Sequence, residues 1–126
     1  MLFIQINSLP FEQGREIGAI LTGISHDFSE GVGIDLAQVI AIWEYLEPWH
    51  YAVAGRTAVN QPDDLHPILV ELLVPDFDPP ERIEKMLECL AASIAARVRI
   101  PKNNIFINVT QAASGRMFYA GEIVRW

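Results

Sequence analysis

The sequence predicts a single α/β domain over residues 1–126, made of two copies of one strand–helix–strand unit. The expected result is a four-stranded sheet with two helices on one face, plus short hairpins. Three observations lead there. Shifted by 66 positions, the chain overlays on itself without a gap from Leu2–Arg56 to Ile68–Glu122. Two segments carry apolar residues at helical spacing. Each is flanked by short apolar runs that read as strands. An apolar pattern shared over about fifty residues is the mark of a duplicated structural unit. The units are taken as 1–56 and 66–126, joined by a linker over 57–65.

The elements follow in order. Leu2, Phe3, Ile4 and Ile6 begin the first strand, and Ile68, Leu69 and Val70 match it in the second unit. The first helix carries its stripe at Ile17, Ile20, Leu21, Ile24, Phe28 and Val32, with Gly31 and Gly33 at its end. The second carries Ile83, Met86, Leu87, Leu90, Ile94 and Val98. Asp78 is its expected N-cap, with proline in the first turn and Glu81 three residues on, and Pro101 stops it. The next strands are expected over 38–45 and 104–110. "WHYAVAG" and "GRMFYAG" read as hairpins. The stretch containing "NQPDD" reads as a polar linker.

A crossover helix between two strands implies that they pair in parallel. Both alternating residue sets of the strands are read as largely apolar, the pattern of a sheet buried on two sides. Two helices cover only one side. Another subunit is therefore expected on the other, and the hairpins are expected to bridge to neighbours.

Composition narrows the function. A length of 126 residues with 51% apolar content suits one packed domain. A net charge of −7 argues against nucleic acid or an anionic membrane as partner. No apolar run reaches membrane-spanning length, and no basic segment precedes an apolar one as in a secretory signal. Cys89 is the single cysteine, so an internal disulfide is excluded and a cytoplasmic setting is expected. His26, His50 and His66 are scattered without cysteine partners, so no metal and no cofactor is expected.

"RVRIPKNNIFINV" is similar to the end of the second helix and the next strand of macrophage migration inhibitory factor, including the pair Ile107–Asn108. "WHYAVAG" and "SGRMFYAGE" resemble the glycine-rich hairpin of 4-oxalocrotonate tautomerase. With the duplication, these motifs make the chain resemble a fused, two-unit member of the tautomerase superfamily over nearly its whole length. That resemblance implies a tautomerase-like fold and a trimeric assembly. It also implies chemistry by an amino-terminal proline, whose amine shuttles a proton between carbon and oxygen of a keto–enol pair while cationic side chains hold a carboxylate.

The chain departs from that pattern at the key position. Met1 stands where the family has proline, and Leu2 is too bulky for ready removal of Met1. Pro67, the repeat-mate of Met1, is internal, so its nitrogen is an amide. Where the resemblance places cations, the chain has Phe11 and Phe77, Ile34, Ile40 and Phe106. Met1 remains a candidate catalytic base through its α-amine, since an amine kept neutral by apolar surroundings accepts a proton. The bland alternative is an inert strand end.

Leu2, Phe106, Asn108, Arg116 and Tyr119 are the substrate-binding candidates. Asn108 would donate to an enolate oxygen, or else simply be satisfied within the sheet. Arg116 would grip a carboxylate, or else be a solvated surface arginine. Phe106 and Tyr119 would shape the pocket, or else pack. His50 with Glu44 is a weaker acid–base pair, and Cys89 reads as a small buried filler. Two functional classes follow. One is a keto–enol isomerase of small 2-oxo or enol carboxylates, weakened or inactive because Met1 replaces proline. The other is a non-catalytic trimeric binding or structural protein that keeps the scaffold.

Overall fold

A computed structural model describes all 126 residues. Strand β1 (Leu2–Ser8) is followed by helix α1 (Ile17–Val32), then β2 (Val39–Tyr45) and a hairpin of β3 (Ala52–Val53) and β4 (Arg56–Thr57). The second half repeats this as β5 (Ile68–Pro75), α2 (Pro80–Val98), β6 (Ile105–Ala112) and a hairpin of β7 (Met117–Tyr119) and β8 (Glu122–Val124). The main sheet runs β2-β1-β5-β6. β1 is parallel to β2 and β5 is parallel to β6, while the two central strands are antiparallel. The two halves are therefore related by an approximate twofold between β1 and β5.

Strand alternation sends Leu2, Ile4 and Ile6 of β1, and Ile68, Val70, Leu72 and Val74 of β5, toward the helices, where all are buried. They meet Ile20, Ile24, Phe28 and Val32 of α1 and Met86, Leu90, Ile94 and Val98 of α2. These are the stripes the sequence shows. Each fully buried aliphatic side chain there contributes ~1.5–3 kcal/mol relative to exposure.

The other sheet face is uncovered by this chain, and it is less apolar than the sequence suggests. Strand register assembles it into three rows: Ile40–Phe3–Leu73–Thr110, Ile42–Gln5–Glu71–Asn108, and Glu44–Asn7–Leu69–Phe106. The middle row is mostly polar. Within it, Asn108 Nδ2 donates to Glu71 Oε2 at 3.0 Å.

The element boundaries differ in instructive ways. Pro79, not Asp78, is the N-cap of α2, and Pro80 opens the helix. Asp78 faces Arg82 one turn on instead, with Oδ1 3.0 Å from Nε. Gly31 lies inside α1, and Gly33 alone ends it in the left-handed region. α2 ends in the same conformation at Arg99, before Pro101 is reached.

The linker is also more than a polar spacer. Gln61 and His66 are buried. Gln61 accepts from the Leu9 amide at 3.2 Å and donates to the His66 carbonyl at 2.7 Å. Asn104 donates to the Pro62 and His66 carbonyls. These side chains supply the partners that a buried backbone needs.

Both hairpins turn on an Ala-Gly pair with positive φ, at Ala54–Gly55 and Ala120–Gly121. Two consecutive positive φ values define the type I′ turn that suits two-residue hairpins.

Candidate functional site

Four chain segments converge where β1 begins. Met1 enters β1 beside the end of β5 at Pro75 and beside Gln38, just before β2. The turn after α1 adds Ile34, the turn into α2 adds Phe77 and Asp78, and α2 itself adds Arg82. Together they enclose a depression of about 190 Å³. Leu2 lines it from below and is otherwise buried under the helices.

Met1 also lines two further depressions. One, of about 270 Å³, lies between Phe3, Ile40 and Leu73 of the open sheet face and Arg116, Met117 and Tyr119 of the last hairpin. The other runs from Gln38 along the hairpin to Arg125. Gln38 and Tyr119 are each shared by two of the three depressions, and Met1 by all three. Met1 borders all three, and together they are termed the crevice.

The first depression contains a cation that sequence reasoning did not assign to it. Arg82 sits in the first turns of α2, its Nε beside Asp78. The Asp78 side chain is only 9% exposed, which fixes the guanidinium from one side. Its Nη atoms make no hydrogen bond within the chain and remain available for a carboxylate. Read from sequence, Asp78 is the N-cap of α2, and Arg82 lies outside the helix's apolar stripe with no role assigned. Only the packing of α2 against the β1 end brings them to Met1.

Of the sequence-selected residues, the structure gathers Met1, Leu2, Arg116 and Tyr119 around the crevice. It places Asn108 and Phe106 elsewhere. Both lie on β6, separated from β1 by β5. Asn108 is held by Glu71 in the middle row, and Phe106 stands 55% exposed in the row farthest from Met1. Within one chain, neither joins the Met1 site.

Phe77 forms the outer wall, 62% exposed, and meets Trp126 edge-on with centroids 5.8 Å apart. Trp126 is pinned by its indole N–H, which donates to Asp76 at 2.9 Å.

Other candidates resolve into structural parts. His66 is bound to the Arg56 carbonyl at 2.7 Å and meets Tyr51 edge-on. His50 faces Glu47 rather than Glu44, at 3.6 Å on the surface. Burial, with the Asp27 charge second, pushes the Cys89 thiol up and away from thiolate. No three His, Cys, Asp or Glu side chains gather as metal ligands, and no helix is long and apolar enough to cross a membrane.

No family model and no curated protein matches the sequence. Solved structures do match its fold. It is similar to Pt0534 inactivated by 2-oxo-3-pentynoate, with 18% identity, a TM-score of 0.82, and 97% of this chain and 95% of that one covered. A wild-type fused 4-OT symmetric trimer gives 16% identity and a TM-score of 0.81 over 97% and 94% of the two chains. Macrophage migration inhibitory factor from Trichinella spiralis gives 13% identity and a TM-score of 0.71 over 96% and 98%. The chain has the tautomerase-superfamily fold in its fused, two-unit form.

Proposed function

We propose that this protein is a slow keto–enol tautomerase of small 2-oxo carboxylates, assembled as a homotrimer, with the Met1 α-amine as the proton-transfer group. The observation that carries this reading is the position of Met1 in the crevice, with Arg82 lining one depression and Arg116 another. A neutral amine would remove the proton from the carbon next to the keto group. The electron pair would then move onto the carbonyl oxygen, and the ammonium would return the proton to that oxygen. An Arg82 guanidinium on the substrate carboxylate would hold it for the transfer. The reaction is slow because the methionine side chain crowds the site and Asp78 shares the charge of Arg82.

The assembly is supported by the uncovered sheet face and by the trimer of the similar fused 4-OT. The substrate class is supported by the 2-oxo acid that inactivates the similar Pt0534.

A specific observation favours a second reading, a trimer that binds such acids without turning them over. Where the resemblance expects a cation after β5, Phe77 fills the wall.

Phenylpyruvate ketonisation, followed by ultraviolet absorbance, separates the two. Wild-type turnover that disappears on acetylating the amino terminus supports the tautomerase. Turnover seen only in a variant with proline inserted between Met1 and Leu2 supports the binding protein. Mass spectrometry of the amino terminus fixes which nitrogen is free in each sample.

A further inference from the structure

The duplicated fold builds the same dent at its other end. A depression of about 200 Å³ is lined by Phe11, Glu12 and Ile100, the repeat-mates of Phe77, Asp78 and Ile34 in the Met1 site. Its chemistry is different. The mate of Met1 is Pro67, whose nitrogen is an amide, so no amine base is present. In place of the amine the site has two guanidiniums, Arg15 and Arg99.

Arg15 is held in place without being neutralised. Its Nε and Nη2 donate to the Val98 carbonyl, each at 3.3 Å, and its guanidinium carbon lies 4.7 Å from the centre of the Phe11 ring. Arg99 caps α2 in the left-handed region at φ 58°. Its repeat-mate Gly33 makes the same cap at φ 74°. Glycine adopts that conformation freely, whereas a side chain there costs backbone energy. The second unit thus bears a strained arginine where the first has the residue the backbone prefers. Strain of that kind collects at functional positions. Glu12 and Asp63 line the rim, yet neither forms an ion pair with Arg15 or Arg99. Arg99 has no ion-pair partner, and the Arg15 protons not given to the Val98 and Gln13 carbonyls are left for an outside anion.

We propose that this second depression binds a small organic carboxylate between Arg15 and Arg99 and does no proton chemistry on it. Each chain would then carry one acid pocket with an amine and one that only binds. The site does not use Met1, so it is independent of the reading of the first.

The test is an NMR titration of the full-length, ¹⁵N-labelled protein with pyruvate, with inorganic phosphate in a parallel series. The expected result is saturable shifts at the Arg99 and Ile100 amides and at Arg15 Nε–H, unchanged by amino-terminal acetylation. Arg99→Gly should raise Tm by relieving the cap and weaken pyruvate at this end by about tenfold. Glu12→Gln should tighten binding by removing a rim charge. Shifts confined to the Met1 end would overturn the proposal. So would unchanged affinity in Arg99→Gly, a fall in both Tm and affinity in that variant, or phosphate binding here while pyruvate does not.

Discussion

Arg97 of α2 lies across the bare Cα of Gly23 in α1 and grips Asp27 one turn further on. Its Nε and Nη2 reach the two Asp27 oxygens at 2.7 and 2.9 Å, and Ser93 adds a third hydrogen bond at 2.7 Å. The helices clamp together on the side away from the sheet. The hydrogen bond from Arg97 is the main cause holding the Asp27 carboxyl below its ordinary value; burial opposes it and Ser93 assists.

The sign of the pH effect follows. A carboxyl with a lower pKa folded than unfolded stabilises the fold fully above its unfolded value, about 3.9. The contribution fades as pH falls from there through the folded value. Asp27→Asn should cost up to about 1 kcal/mol at pH 7, the range for an exposed pair. The gap from wild type should shrink by pH 3. Urea melts at pH 7, 4 and 3 check both points. A constant gap across that range would show that the charge of Asp27 has no part in stability.

Gly23→Ala tests the slot itself. An added Cβ would overlap Arg97 Nη1. The guanidinium is a flexible end and can swing away, so the loss is the ion pair and no more. Alanine gains about 1 kcal/mol in a helix interior. The variant should match or slightly exceed wild type at pH 7, and its stability should depend less on pH below 4. Gly31→Ala should behave differently. There the new Cβ would meet Cys89 Sγ at 2.6 Å. A cysteine has one side-chain torsion to yield with, so the helices must part, at about 1–3 kcal/mol. Adding Cys89→Ala should recover most of that loss. Thermal melts of the single and double variants decide it; a double variant no better than Gly31→Ala would place the strain elsewhere.

These contacts mark where sequence reading stops. The 66-residue shift shows both helices, their stripes and the strands, because local period and repetition encode them. It cannot show that Gly23 and Gly31 are slots, since that depends on how closely α1 and α2 approach. Arg82 was hidden for a related reason: it stands outside the apolar stripe and the family motifs, and only the packing of α2 brings it beside Met1. Asn108 and Phe106 were drawn to the site by family likeness. Register carries them away from Met1 within one chain, since β5 lies between β6 and β1. Register also gives the open face its polar middle row, which no single strand reveals.

The open face yields a prediction about assembly. Leu69 and Phe106 are neighbours in its outer row, and Phe106 is among the most exposed large apolar residues of the chain. If three chains meet through this face, Phe106→Glu buries three charges without partners. Light scattering behind size exclusion should show a trimer for wild type and a smaller species for the variant. Circular dichroism should show unchanged helix content, because Phe106 points away from the helical core. A variant that still runs as a trimer would move the interface off this face.

The Met1 amine can be trapped directly. An alkynyl 2-oxo acid such as 2-oxo-3-pentynoate adds a neutral amine across its triple bond. A nitrogen–carbon bond forms, the nitrogen's proton passes to carbon, and nothing leaves. Intact mass should rise by one reagent per chain, and peptide mapping should put the label on Met1. Arg82→Ala should slow labelling by about tenfold by removing a charge-assisted contact to the carboxylate. Phe77→Arg should speed it, since the exposed wall accepts a longer side chain and the new guanidinium adds a cation to the depression beside Met1. One substitution removes a cation from the depression and the other adds one, so a shared reagent site requires rate changes of opposite sign. Labelling at lysines instead of Met1, or rates indifferent to both substitutions, would remove the amine and the arginine from the chemistry together.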